Sequence, residues 1–237
     1  SPQAVEPRED GVAELVVADI MDAEALQAAA ADVDVIVHLA ANTGVAPSVE
    51  DPRYDCETNV VGTLNALEAA RHRDVGRFVF ASSGAPVGEV EPPIHEELAP
   101  HPKSPYGASK LAGEGYCSAY NGSFGVDTVA LRFGNVYGPR SVHKSSVVAK
   151  FIRRAARGQT LEIYGDGQQT RDYIYTGDLV RAIRLAASRP DVGGETFQIA
   201  TNSETTVNEL ASMIRDVLED FGYDAIDIEH TEPRVGD

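Results

Sequence analysis

Four short, β-branched apolar runs, set apart by helical periods, constrain this chain more than any other feature. Ala13–Ala18 (AELVVA), Asp34–Ala40 (DVIVHLA), Arg77–Ser82 (RFVFAS) and Val126–Arg132 (VDTVALR) read as buried strands. Between them lie helical segments at Asp22–Ala31, Asn59–Arg73 and Tyr106–Asn121. Strands alternating with helices of about 10–15 residues predict right-handed βαβ units. The expected fold is therefore α/β, a Rossmann-like doubly wound parallel sheet covered on both faces.

After Gly138-Pro139 the pattern changes. A helix near Ser145–Arg157, short strands at Thr160–Tyr164 and Asp172–Tyr175, and helices at Thr176–Ser188 and Val207–Phe221 predict a smaller mixed α/β lobe. The expected division is residues 1–138 and residues 139–237, with a return to the sheet near 172–200.

Composition narrows the function classes. At 237 residues the chain is long enough to bury a full core. No apolar run approaches the roughly 20 residues needed to cross a bilayer. No basic segment followed by an apolar stretch opens the chain, so a cytoplasmic location is expected. Cys56 and Cys117, the only cysteines, read as cytosolic thiols rather than a disulfide framework. The net charge of -17 repels nucleic acid and anionic membranes, which excludes both as expected partners. Adaptation to high salt and an ordinary acidic enzyme both account for that charge. Only four of the 20 basic residues are lysines, so arginine, the better phosphate fork, dominates.

The chemistry-bearing signal is Ser83, Tyr106 and Lys110, in ASSG and SPYGASK. Tyr106 and Lys110 stand four apart at a helix start and so project from one face. A phenol titrating near 10 is a poor base at neutral pH; a neighbouring ammonium and the positive helix end would favour phenolate. A serine hydroxyl at the preceding strand end would bond the same substrate oxygen. An isolated YxxxK pair recurs by chance; its place after a Ser-Ser strand end and before LRFGNVYGP separates this one from accident. The histidines at 38, 72, 95, 101, 143 and 230 lack metal-ligand spacing, so no metal site is expected.

A series of segments then resembles the extended short-chain dehydrogenase/reductase family, specifically its NAD-dependent nucleotide-sugar epimerases and dehydratases, over nearly the whole chain. The segments are VADIMD from Val17, HLAAN from His38, NVVGT from Asn59, FVFASS from Phe78, SPYGASK from Ser104, LRFGNVYGP from Leu131, GDGQQTRD from Gly165 and PRVGD from Pro233. The resemblance implies an NAD-binding domain over 1–138 and a nucleotide-sugar lobe beyond. Tyr106 would be the acid/base, Lys110 would hold the nicotinamide ribose and tune Tyr106, and Ser83 would bridge the reacting hydroxyl. Asp19 and Ile20 would meet the adenine. Leu39, Ala40 and Ala41 would lie against the pyrophosphate and ribose, and Asn59 would support the cofactor-side loops, with a plain N-cap as its alternative. On the substrate side Asn135, Arg171 and Arg234 would hold the nucleotide diphosphate, and Tyr164 would line the nucleobase pocket. A core aromatic is the plainer reading of Tyr164, and an ion pair with Asp172 or Asp178 that of Arg171. The resemblance also implies a homodimer built from the Asn59–Arg73 and Tyr106–Asn121 helices.

Three departures bear on this. No Gly-rich strand–turn–helix is present at the start, so the first βαβ unit is expected to be absent and Ser1 not to be the true start. The chain stops at Asp237, where the family usually continues. Gly84-Ala85 stands where dehydratase members carry an Asp-Glu pair, and neither residue transfers a proton; Val87 replaces a common tyrosine. The sequence therefore points to 4-epimerisation of a UDP-sugar through a 4-keto intermediate. A nucleotide-sugar dehydratase or reductase, and a non-catalytic nucleotide-binding protein of the same fold, stand as rivals.

Overall fold

The computed structural model describes residues 14–141 and 146–233. It contains two compact units: one runs through Arg132 and adds Ile183–Gln198, and the other comprises Phe133–Ala182 and Ile199 onward. None of the helices among the described residues is long and apolar enough to cross a membrane.

In the first unit the chain runs through α1 (Ala23–Ala29), β1 (Val35–His38), α2 (Val45–Glu50), α3 (Pro52–Cys56), a π-helical turn (Glu57–Val61), α4 (Gly62–His72), β2 (Arg77–Ser83), α5 (Pro105–Phe124) and β3 (Thr128–Phe133). With β8 (Thr196–Ile199) these strands form a sheet of order β1-β2-β3-β8. β1 and β2 pair in parallel, with Val35 opposite Arg77 and His38 opposite Phe80. β2 is central and buried along nearly its whole length, which is why its sequence is a continuous apolar run rather than an alternating one. Phe78 and Phe80 pack with Leu67, Ala70, Cys117 and Tyr120 in one core between sheet and helices.

Local signals fix the helix that matters most. Ser104 caps α5 by accepting the Gly107 N–H at 3.1 Å, and Pro105 occupies the first turn, where a missing N–H costs nothing. Gly125 ends the helix with φ of 70°, a left-handed conformation that glycine adopts without strain. A side chain at Gly113 would run into the Phe80 ring, so glycine there lets α5 lie close on β2.

In the second unit β4 (Asn135–Tyr137) pairs in parallel with β7 (Tyr173–Tyr175), and β5 (Leu161–Tyr164) with β10 (Ile228–Thr231). β6 (Thr170–Arg171) and β9 (Thr205–Thr206) pair antiparallel. α6 (Val147–Ala155) and α8 (Val207–Asp220) cover a core of Phe151, Leu161, Ile163, Ala211 and Ile214. α7 (Thr176–Ser188) begins in this unit.

The expected α/β class and parallel sheet are what the structure shows. Two local expectations need correction. The segment expected as a strand at 13–18 is, over its described residues, extended chain outside any sheet, with Leu15, Val16 and Val17 each more than half exposed. Strand propensity becomes a strand only where a neighbouring edge takes its hydrogen bonds. The helix expected over Asn59–Arg73 starts instead as the π turn, with Asn59 inside it and buried rather than at an N-cap.

Candidate active site

β2 and α5 build the centre of the site. Ser83 ends β2; its Oγ accepts the Ala85 N–H at 3.2 Å, and its hydroxyl shares a hydrogen bond with Tyr106. Tyr106, Lys110 and Glu114 lie four apart along one face of α5, and Lys110 and Glu114 are both buried. A side chain at Gly107 would come within 2.7 Å of the Ala85 carbonyl, so this glycine lets the Gly84-Ala85 loop settle onto the first turn of α5. Val87 is fully buried beneath that loop.

Lys110 Nζ donates to the Ala81 carbonyl at 2.8 Å and lies 5.0 Å from the Phe80 ring centroid and 5.9 Å from that of Tyr106. Burial lowers its ammonium from the ordinary range to about 8, against the Asp55 charge, which raises it. Burial raises the Tyr106 phenol above its usual value; the Ser83 hydrogen bond opposes this, and the Asp55 charge adds to it. Sequence spacing points to an acidified phenol, and the folded chain holds a weakened one. Desolvation, the largest effect, outweighs the Ser83 hydrogen bond that opposes it.

Behind this set runs a polar network that sequence reasoning missed. Asn59 Nδ2 donates to Asn42 O (3.0 Å), Asp55 Oδ1 (3.0 Å) and Ser109 Oγ (3.1 Å), while Asn59 Oδ1 accepts the Asn42 N–H at 2.7 Å. Ser109 Oγ donates to the Tyr106 carbonyl, which ties Asn59 to the turn carrying Tyr106. Thr63 donates to the Asn59 carbonyl at 2.6 Å, so its oxygen is left to accept from His38 Nε2 at 3.2 Å. His38 is buried, and burial together with the Lys110 charge lowers it to about 4, so it is neutral at physiological pH. On the other side, Ser82 Oγ donates to Glu114 Oε1 at 2.5 Å, and Arg132 grips both Glu114 oxygens at 2.9 and 2.8 Å. Glu114 continues the Tyr106–Lys110 spacing by four, and Asp55 stands four before Asn59. Those offsets are the sequence signals that would have found both.

Of the residues expected on the cofactor side, Asp19 is exposed at a turn where its Oδ1 accepts the Met21 N–H at 2.9 Å. The neighbouring Ile20 is held to α4 because Asn65 Nδ2 donates to its carbonyl at 3.0 Å. Leu39 and Ala40 emerge exposed from the end of β1, and Ala41 is half-buried just before the Asn42–Asn59 tie. Asn135, Tyr164 and Arg171 belong to the second unit. Asn135 is exposed at the start of β4 and donates to the Asp172 carbonyl at 3.3 Å. Tyr164 ends β5 with its hydroxyl accepting from Lys150 Nζ at 3.1 Å and that ammonium 4.6 Å over its ring. Arg171 is exposed and donates to the Thr170 carbonyl. The Asp172 carboxylate accepts instead from Thr201 and Ser203, so the ion pair offered as the plainer reading of Arg171 is not with Asp172. Arg234 lies outside the described residues.

The arrangement thus brings together a hydroxyl, a phenol and an amine at the end of β2, with Leu39 and Ala40 exposed past the end of β1. A family model described as the NAD-dependent epimerase/dehydratase family matches residues 1–200. The chain belongs to that family. A putative UDP-glucose 4-epimerase of Methanocaldococcus jannaschii is 41% identical over 210 residues, covering 87% of this chain and 67% of the relative. A UDP-N-acetylglucosamine 4-epimerase from Methanobrevibacter ruminantium, solved in complex with UDP-N-acetylmuramic acid, superposes with a TM-score of 0.86 at 35% identity, over 93% of this chain and 70% of that one. The UDP-glucose 4-epimerase of Thermus thermophilus, solved with NAD, gives 0.83 at 37% identity, over the whole of this chain and 78% of that one. Against the Methanocaldococcus family member, the chain spans about two thirds of the relative's length.

Proposed function

We propose that the protein is an NAD-dependent 4-epimerase of a UDP-sugar, with Tyr106 as acid/base. The observation that carries this is the convergence of Ser83, Tyr106 and Lys110 beside a loop, Gly84-Ala85, with no proton-transferring side chain. Water expulsion needs an acid and a base at that loop; reversible oxidation at one carbon needs neither.

The residues present fit NAD. Leu39 and Ala40 leave the end of β1 open and free of bulky polar groups, and Asp19 offers an exposed carboxylate at a fixed turn. Among the described residues Lys110 donates one of its three N–H groups, to Ala81, which leaves donors for a ribose. When bound, NAD supplies a reversible hydride acceptor. The chain does the rest. Ser83 bonds the sugar C4 hydroxyl, Tyr106 takes its proton and later returns it, and Lys110 supports the charge on the phenol oxygen meanwhile. Asn135, Arg171 and Arg234 would grip only the nucleotide diphosphate, with Tyr164 at the nucleobase pocket. The 4-keto sugar is thus left free to turn over, with binding strength spent on the part that does not react. The exposed Tyr116 on α5 agrees with a homodimer through α4 and α5.

Incubation with UDP-galactose and catalytic NAD, read by NMR, tests the reading. Conversion to UDP-glucose that Tyr106→Phe abolishes supports it. Release of a 4-keto-6-deoxy sugar, or conversion insensitive to Tyr106→Phe, overturns it.

A further inference from the structure

Asp55 is a fully buried carboxyl beside the site to which the chemistry above assigns no task. It sits on α3 with no exposed surface. Its Oδ1 accepts from Asn59, and its Oδ2 has no hydrogen-bond partner among the described residues. Taking a carboxylate out of water costs several kcal/mol unless a cation or a full set of hydrogen bonds compensates. Half of its oxygen capacity has no such bond among the described residues, and a nearby cation would compensate it.

Around Lys110, the charged and titratable groups are few. α3 supplies Asp55, β1 supplies His38, and α5 itself supplies Tyr106 and, one turn on, Glu114. His38 is neutral, and both Glu114 oxygens are taken by Arg132. β2 contributes only the Ala81 carbonyl and the Phe80 ring. Asn59 ties Asp55 to Ser109, the residue beside Lys110 on α5, so among these described groups Asp55 is the carboxylate with no cation of its own.

We infer that Asp55 is a positioning residue: its buried carboxylate, clamped by Asn59, is the counter-charge that keeps Lys110 an ammonium beside Tyr106. The inference rests on the proposed epimerase reading for its purpose, since an uncharged amine could not support a phenolate. The opposing effects on Lys110 agree with it: burial lowers the ammonium to about 8, and the Asp55 charge is what holds it up. The same Asn59 amide that clamps Asp55 also bonds Ser109, which bonds the Tyr106 carbonyl, so carboxylate and phenol are held by one knot.

The chain has four lysines, which makes side-chain nitrogen NMR of the intact chain tractable, with the Lys110 signal assigned by its loss in Lys110→Met. In Asp55→Asn the Lys110 titration midpoint is expected to move down by at least about one pH unit, as removal of a close opposite charge requires. Asp55→Glu should restore most of it, and the alkaline limb of the activity profile should move with it. An unmoved Lys110 midpoint in a folded Asp55→Asn chain overturns the inference. Should that variant not fold, the unsubstituted chain decides. Its Asp55 carboxyl carbon should show an ionised group that senses the Lys110 titration; a protonated acid at pH 7, or no inflection at the Lys110 midpoint, overturns it. These titrations need no substrate. Missing sugar conversion therefore sinks the epimerase reading alone, and a silent Lys110 sinks this inference alone.

Discussion

The two units handle their candidate functional residues in opposite ways. In the first, Lys110 and Asn59 are buried, and Ser83 and Tyr106 are partly so; Asn59 bonds Asn42, Asp55 on α3 and Ser109 on α5, and Lys110 on α5 bonds Ala81 on β2. In the second, Asn135 and Arg171 are exposed and lean on neighbouring backbone carbonyls, while the Tyr164 hydroxyl accepts from the Lys150 ammonium. A proton-transfer group gains from being fixed and desolvated, because its acidity and its geometry both depend on what surrounds it. An arginine that grips a diphosphate gains from reach, and its charge needs no tuning.

The contrast yields predictions of decreasing size. Tyr106→Phe should cut conversion of the sugar by about 10²–10⁴-fold while leaving UDP binding, followed calorimetrically, near the parent value; a comparable loss of UDP binding would erase the division of labour. Glu114→Gln leaves the buried Arg132 unpaired and should cost about 3–5 kcal/mol in denaturant unfolding. A cost under about 1 kcal/mol would show the network behind the site to be dispensable. His38 binds a proton less readily folded, at about 4, than unfolded, at 6.5. Between those values the unfolded chain holds more protons, so stability present above pH 6.5 is lost as the pH falls toward 4. The loss is at most on the order of 3 kcal/mol, and His38→Gln should lack it in a pH series of thermal melts. Arg171→Ala should change stability by less than about 0.5 kcal/mol yet weaken UDP binding. A large destabilisation there would remove the contrast from the other side.

How legible the site was depended on which interactions carried it. The α5 spacing of Tyr106 and Lys110 and the Ser-Ser end of β2 could be read directly, because period, capping and strand burial are written in neighbouring residues. Asp55, His38 and Glu114 could not be weighted the same way. His38 reads as an unpaired histidine without metal spacing, and only the fold shows it donating to Thr63 and stacking at 16° on Phe80. The extended segment at 14–18 erred in the other direction, its β-branched run promising a strand that finds no pairing partner among the described residues.

The sequence by itself determined the α/β alternation, the capped helix α5 and the placement of a phenol and an amine on one of its faces. Those follow from backbone sterics, capping and side-chain periodicity within a few residues. Only the tertiary structure decided how burial and neighbouring charges act on that pair. Asp55 and Ser83 act on the Tyr106 phenol from positions 51 and 23 residues away along the chain (106 − 55 and 106 − 83), and burial raises it. Acidity depends on distance and solvent access in space, and neither is set until α3, β2 and α5 have packed together.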